Sequence, residues 1–322
     1  MTARITRALS ILVPALLGTV AQAQQYPSKP IRIVVPFTPA GSVDVAARAL
    51  QTPLSKALGQ SVVVDNRPGA STMIGTELVA RAPADGHTLL IAGFTFIANA
   101  VMRTKLPFDA QKDFVGVARI GADPYIFSVH PSLPVTSVKE LIALARTKPG
   151  QLTYAHNGNG SAQHVSGELL KQAAKIDLTA VPYNGGGPAA LAVLGGHNTI
   201  LISTIATVIP YLNTKRLRAI AVTSNTRSDL VKDTPTLAES GYPDFELTAK
   251  LGVYVRSATP KEIVDRLGVE IVRALNTAEV KESLFRQGIT ASPLGPAEYD
   301  ALIRREIPKI QKIVREAGIR LD

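Results

Sequence analysis

Three glycine-rich turns carry the residues best suited to hold a small anion. They read Pro36-Phe37-Thr38-Pro39-Ala40-Gly41-Ser42-Val43-Asp44, Asn157-Gly158-Asn159-Gly160-Ser161-Ala162-Gln163-His164 and Tyr183-Asn184-Gly185-Gly186-Gly187-Pro188. Each follows a short apolar run and precedes a stretch with helical spacing. A helix leaves its first N–H groups without intrahelical partners, and its dipole favours negative charge at that end. Glycine lets a ligand oxygen approach the backbone closely. Ser42 and Ser161 can cap the helices they precede, and a capping hydroxyl can also face a ligand. Asp44 falls in a first helical turn, where an acid is favoured on structural grounds alone. His164 stands one turn beyond Ser161, where a structural role and a ligand contact are both open.

Other chemistries find no footing. No turn matches the Gly-x-x-x-x-Gly-Lys-Ser/Thr loop or a Gly-x-Gly-x-x-Gly fingerprint that cradles a nucleotide. There is no cysteine and no His-x-x-x-His pair, so neither a metal site nor a disulfide is expected. No Gly-x-Ser-x-Gly elbow and no Ser–His–acid set can be assembled. No catalytic residue and no cofactor is assigned, and the chain is read as a binder rather than an enzyme.

The turns are set on alternating elements. Apolar strands at 31–36, 61–65 and 88–92 are separated by helical stretches at 43–58 and 76–81. This order implies a parallel sheet with helical crossovers. Apolar runs over 114–129 are interrupted by Gly121 and Pro124. A second series follows, with strands at 152–155, 179–182, 199–203 and 218–223, and helices at 137–146, 161–174, 188–194 and 208–212. Ser137 and Glu140 have capping-box spacing. The tail predicts a strand at 252–255 and helices at 261–276, 279–287 and 296–317. Pro308 is expected to kink the last of these. Trp is absent and aromatic residues make up 5%, so Val, Ile, Leu and Ala must build the interior, which suits sheets covered by helices.

Residues 1–24 read as a secretory leader: Arg4 and Arg7, an apolar run from Ala8 to Val20, then Ala21-Gln22-Ala23. That run is shorter than the ~20 residues a membrane span needs. Export to the periplasm with cleavage near Ala23-Gln24 is expected, and no Cys follows for a lipid anchor. The formal charge of +10 comes from 35 basic and 25 acidic residues. These are scattered, with little aromatic interleaving, which speaks against nucleic acid and for a general positive field attractive to anions.

The ordered motifs together resemble the receptors of tripartite tricarboxylate transporters, the Bug-type extracytoplasmic solute receptors. The likeness runs through Tyr26-Pro27-Ser28-Lys29-Pro30-Ile31-Arg32-Ile33-Val34-Val35-Pro36-Phe37, Val64-Asp65-Asn66-Arg67-Pro68-Gly69-Ala70 and Asp85-Gly86-His87-Thr88-Leu89-Leu90. It continues in Gly158-Asn159-Gly160-Ser161 with His164, Val181-Pro182-Tyr183-Asn184-Gly185-Gly186 and Leu217-Arg218-Ala219-Ile220-Ala221-Val222-Thr223. The resemblance implies an α/β, type II periplasmic binding protein fold, with two lobes joined by two crossing strands and a ligand cleft between them. Lobe 1 would comprise 25–120 plus 254–322 and lobe 2 residues 121–253, with crossings near 117–128 and 247–256.

It further implies that a small carboxylate is captured and delivered to membrane transporter subunits by a receptor that is itself a monomer. Presentation to a membrane kinase is the alternative use of the same closed form, and an exported enzyme on this scaffold a more remote one. The implied ligand-binding set in the first lobe is Thr38, Ala40, Gly41, Ser42, Ala70, Ser71, Thr72 and Phe94. In the second lobe it is Asn157, Gly160, Ser161, His164, Asn184, Gly185, Ser203 and Thr204. Several positions depart from the family pattern. The first loop usually reads Pro-Gly-Gly, here Pro39-Ala40-Gly41, and Gly-Gly usually follows the Ala at 70, here Ser71-Thr72. Asn184 replaces a frequent Arg or Lys, and Lys250 stands where Trp is common. The Lys250 ammonium could reach into the cleft to meet a second anionic group, or point to solvent.

Overall fold

The computed structural model describes residues 26–319 apart from Ala40 and Thr104. The expected leader and the Ala40 contact therefore lie outside the described residues. The first sheet begins as expected: β1 (Ile31–Val35), α1 (Ser42–Leu58), β2 (Val62–Asn66), α2 (Met73–Arg81) and β3 (Thr88–Ala92). β1 pairs in parallel with both β2 and β3. Its side chains are buried on both faces, because helices cover both. α1 buries Ala46, Ala47, Leu50, Leu54 and Leu58 at helical spacing, and Gly59 ends it in a left-handed conformation that hands its N–H to the Ser55 carbonyl.

The next helix, α3 (Phe94–Met102), was not anticipated from periodicity; its sequence FTFIANAVM is apolar on every side. The structure gives the reason: Phe96 packs with Phe108, Phe114 and Tyr254, while Phe94, Ala98 and Met102 pack into a different cluster. A helix wedged between two cores shows no amphipathic stripe.

β4 (Phe114–Val129) is one long strand rather than interrupted runs. After it come α4 (Val138–Thr147), β5 (Thr153–His156), α5 (Ala162–Ala174), β6 (Thr179–Pro182), α6 (Gly186–Leu194), β7 (Ile200–Thr204), α7 (Ile205–Asn213) and β8 (Arg218–Val222). Ser137 caps α4 as the spacing predicted, accepting from the Glu140 N–H. β9 (Thr248–Arg256), α8 (Lys261–Leu275), α9 (Ala278–Arg286), β10 (Thr290–Leu294) and α10 (Pro296–Glu316) complete the chain. β10 was not anticipated; its Pro293 interrupts the β pattern, and it pairs irregularly with β4.

Strand order is β2-β1-β3-β9-β4-β7-β5-β6, with β10 and β8 both added against β4. The first half of β4 pairs antiparallel with β9, and Tyr125 to Val129 pair instead with β7 and β8. β4 thus leaves one sheet and enters the other. β9 makes the return crossing. Both are tied at one buried residue: Thr223 Oγ1 accepts from the Tyr125 N–H at 2.9 Å and donates to the Leu247 carbonyl at 2.6 Å.

The tail packs on both halves. α8 and α9 pack on the first sheet through Leu267, Ile271 and Leu284. α10, a single helix through Pro308, does not stay there. Its first half places Tyr299 and Leu302 with Val34, Leu90 and Tyr254. Its second half places Ile310 and Val314 with Val165 and Leu170 of α5. α10 therefore straps the two halves together.

Thr223→Val keeps the shape and removes the hydroxyl bonds to both crossing strands. Each is worth about 1 kcal/mol net, with more where a buried group loses its partner. The variant is expected to be about 1–3 kcal/mol less stable, read by urea unfolding. An unchanged midpoint would show that Thr223 does not hold the crossings.

Candidate ligand-binding site

The loops at the carboxyl ends of β1, β2, β5, β6 and β7 meet one another. Ser71 Oγ donates to the Asn159 carbonyl at 3.1 Å, joining the loop after β2 to the loop after β5. A Cβ on Gly185 would lie 3.6 Å from Thr38 Oγ1, so the loops after β1 and β6 are also in contact. Gly288, at φ +81°, comes so close to the start of α7 that a Cβ there would sit 2.8 Å from the Ala206 nitrogen. Within the second sheet, a Cβ on Gly186 would sit 2.9 Å from Ser203 Oγ and 3.0 Å from Thr207 Oγ1. Glycine at 186 and 288 is what lets these segments approach so closely. The structure is in a closed arrangement.

Four helices begin at these loops with no side chain capping them: α1 after Gly41, α2 after Thr72, α6 after Gly185 and α7 after Thr204. Their first-turn N–H groups are the donors an anion needs. Ser42 is not the cap expected of it; Gly41 holds that position and Ser42 is the first helical residue. Ser161 does cap α5, accepting from the His164 N–H at 3.2 Å. The loops hold no Lys or Arg between 36 and 44, 69 and 73, 157 and 164, 184 and 187, or 203 and 207. Arg67, which opens the loop after β2, pairs with Asp65.

The loop after β5 spends its own polar groups internally. The Gly160 N–H donates to His164 Nδ1 at 3.2 Å, and the Ser161 N–H donates to the Gly158 carbonyl at 3.1 Å. The His164 ring stacks on His156, with centroids 4.5 Å apart and planes 10° from parallel. His156 Nδ1 bonds the Gly158 carbonyl at 3.0 Å. In this closed form His164 braces the loop, and the Gly160 amide faces His164. Asn157 Oδ1 and Ser203 Oγ are buried without a hydrogen-bond partner, which suits groups awaiting a bound molecule.

The segment after β2 carries strain. Ala70, Ser71 and Thr72 all have positive φ, at 47°, 53° and 78°. Left-handed conformation costs an L-residue about 1–2 kcal/mol. Asn99, 1% exposed, holds the segment: its Nδ2 donates to the Ser71 carbonyl at 2.5 Å and to Thr72 Oγ1 at 3.3 Å. Thr76 Oγ1 donates to the Thr72 carbonyl. Neither Asn99 nor Thr207 was singled out from sequence. Thr207 had a legible signal, lying one helical turn after Thr204 and bonded to it at 3.1 Å. Asn99 had none, being one polar residue in an apolar helix.

Two of the expected contacts point elsewhere. The Phe94 side chain is 5% exposed within a hydrophobic cluster. Lys250 lies away from the meeting loops with its side chain 29% exposed, and its ammonium pairs with Glu306 of α10. Burial raises the Glu306 carboxyl, but Lys250 and Lys309 outweigh it and hold the group below its ordinary value. Both residues line a cavity of about 70 Å³ between α3, β9 and α10, with Ile97, Tyr254 and Ile310. Asp44 is 2% exposed and turned inward, accepting from Asn66 Nδ2 and pairing with Arg48.

Among the described residues no group of three His, Asp or Glu could hold a metal ion, and no helix is long and apolar enough to cross a membrane. Two α/β halves joined by two crossing strands, with anion-seeking helix ends between them, define a periplasmic solute-binding protein of the type II fold. Residues 46–319 match the family model described as tripartite tricarboxylate transporter family receptor, and the chain belongs to that family. It is 34% identical to Protein BugT of Bordetella pertussis over 98% of this chain and 99% of that one. Among solved structures it resembles Rpa4515 of R. palustris with adipate, at a TM-score of 0.87 and 34% identity, covering 92% of this chain and 99% of that one. It also resembles MatC from Rhodopseudomonas palustris with bound malate, at 0.82 and 30%, covering 90% of this chain and all of that one, 100%.

The histidine stack makes a pH prediction. Burial, then the neighbouring His164, push His156 from 6.5 down to about 3, against the pull of the Gly158 carbonyl. Burial lowers His164 too, with Glu168 opposing and Lys171 assisting. A histidine depressed on folding contributes stability above its unfolded value and loses it as pH falls toward the folded one. The window here is pH 6.5 down to about 3, with a slope approaching 1.4 kcal/mol per pH unit for one proton. His156→Gln should flatten the melting temperature against pH between 6 and 4, in the pH range this shift spans. Parallel curves for parent and variant would refute the assignment.

Proposed function

We propose that the protein captures a small carboxylate between its lobes and presents the closed form to a membrane transporter. In this reading it is exported to the periplasm with its leader removed, works as a monomer, catalyses nothing, and divides near 120 and 254 at the crossing strands. The observation that carries the reading is the meeting of loops from both halves that lead into uncapped helix starts, with no Lys or Arg among the residues that open those helices. A carboxylate oxygen accepts from several such N–H groups at once and benefits from the dipoles behind them. The adipate and malate held by the two similar structures support the ligand class. The hydroxyls of Thr38, Ser42, Ser203, Thr204 and Thr207 supply orientation, and in this closed form Lys250 is a structural residue rather than a ligand contact.

Calorimetry with adipate and its dimethyl ester tests the proposal. The acid should bind and the ester should not, because donors facing an uncharged, poorly fitting group cost about 1–3 kcal/mol each. Equal affinity would sink the assignment. Lys250→Met should leave adipate affinity within about twofold and lower the melting temperature, since Glu306, 13% exposed, keeps only Lys309. A loss of affinity tenfold or greater at unchanged stability would instead place Lys250 at the ligand.

A further inference from the structure

The strained segment after β2 ends in a side chain that reaches the other half of the molecule, and the acceptor it meets is as firmly set as the donor. Ser71 lies at φ 53° and ψ 50°. Asn99 holds its carbonyl and Thr76 holds that of Thr72. Opposite, Asn159 stands between Gly158 and Gly160, both at positive φ, in a loop whose inward groups are taken up by His156, His164 and the Ser161 N–H. With those groups turned in, the Asn159 carbonyl faces outward. The 3.1 Å bond between Ser71 Oγ and that carbonyl spans 88 residues of sequence.

Resting on the reading of two lobes that close on an anion, we propose that Ser71 and the Asn159 carbonyl form a latch that favours closure and slows ligand release. Backbone strain holds Ser71 in one place, so little freedom is lost when the bond forms, and the bond works for closure rather than for ordering the loop. The strain sits inside the first lobe and is the same in the open and closed forms. The hydroxyl bond forms only on closure, which makes Ser71 a positioning residue acting through closure.

The chain has no cysteine, so spin labels can be placed at two new ones, Lys56→Cys and Lys148→Cys, both at exposed sites in different lobes. Pulsed distance measurements then give the closed-to-open ratio without ligand, and stopped flow gives the release rate of adipate. Ser71→Ala and Ser71→Gly should each lower the ratio about threefold to tenfold and speed release by a similar factor. The two variants should separate in melting temperature, with Gly above Ala, since only Gly relieves the left-handed strain. The latch is overturned if neither ratio nor release rate changes, if the two variants differ in closure as much as in melting, or if unliganded parent protein shows no closed population. If adipate fails to close even the parent, the carboxylate reading falls, while the unliganded ratio still decides the latch.

Discussion

A helix that follows a parallel strand begins with N–H groups that nothing within the helix can satisfy. Four such helix starts follow loops that touch one another in this protein, none with a side-chain cap, and the candidate site is arranged around that fact. The scarcity of Lys and Arg in these loops, the glycines where backbones meet and the buried Ser203 hydroxyl are in keeping with it. A site built of backbone dipoles needs no charged side chain to be desolvated when the lobes close. Its selectivity resides in where the donors point.

Movement is confined by the same architecture. Among the described residues β4 pairs into both sheets and β9 leads back into the first, and Thr223 ties Tyr125 of β4 to Leu247, the residue before β9. α10 adds a third connection made of packing, with Tyr299 in one core and Val314 in another. The Lys250–Glu306 pair lies along this strap, beside the crossing strand. In the proposed reading, closure is a hinge of a few residues at the crossings, with α10 packed across both halves.

Strain and bracing are distributed unequally between the lobes. In the first, three consecutive L-residues hold a left-handed path because Asn99 and Thr76 fasten them. In the second, glycines take the positive φ values without strain, and two neutral stacked histidines fill the space beneath. One side presents a rigid donor and the other a supported acceptor. A cleft whose rims are already shaped loses little entropy when it shuts.

Much of this was legible in the residues. The apolar runs at β1, β3, β5 and β7, the Ser137 and Ser161 caps and the glycine turns identify an α/β chain with anion-seeking loops, because periodicity, capping and positive φ are local properties of sequence. The ordered motifs pointed to the family. What lay beyond reach depended on partners distant in the chain. α3 looked featureless because it packs on two cores, and β10 because its ladder is irregular. Lys250 could be placed only by Glu306, 56 residues away, and Ser71 only by Asn159, 88 residues away. Residue type and spacing state what a group is able to do; the crossing strands and α10 decide which groups it meets.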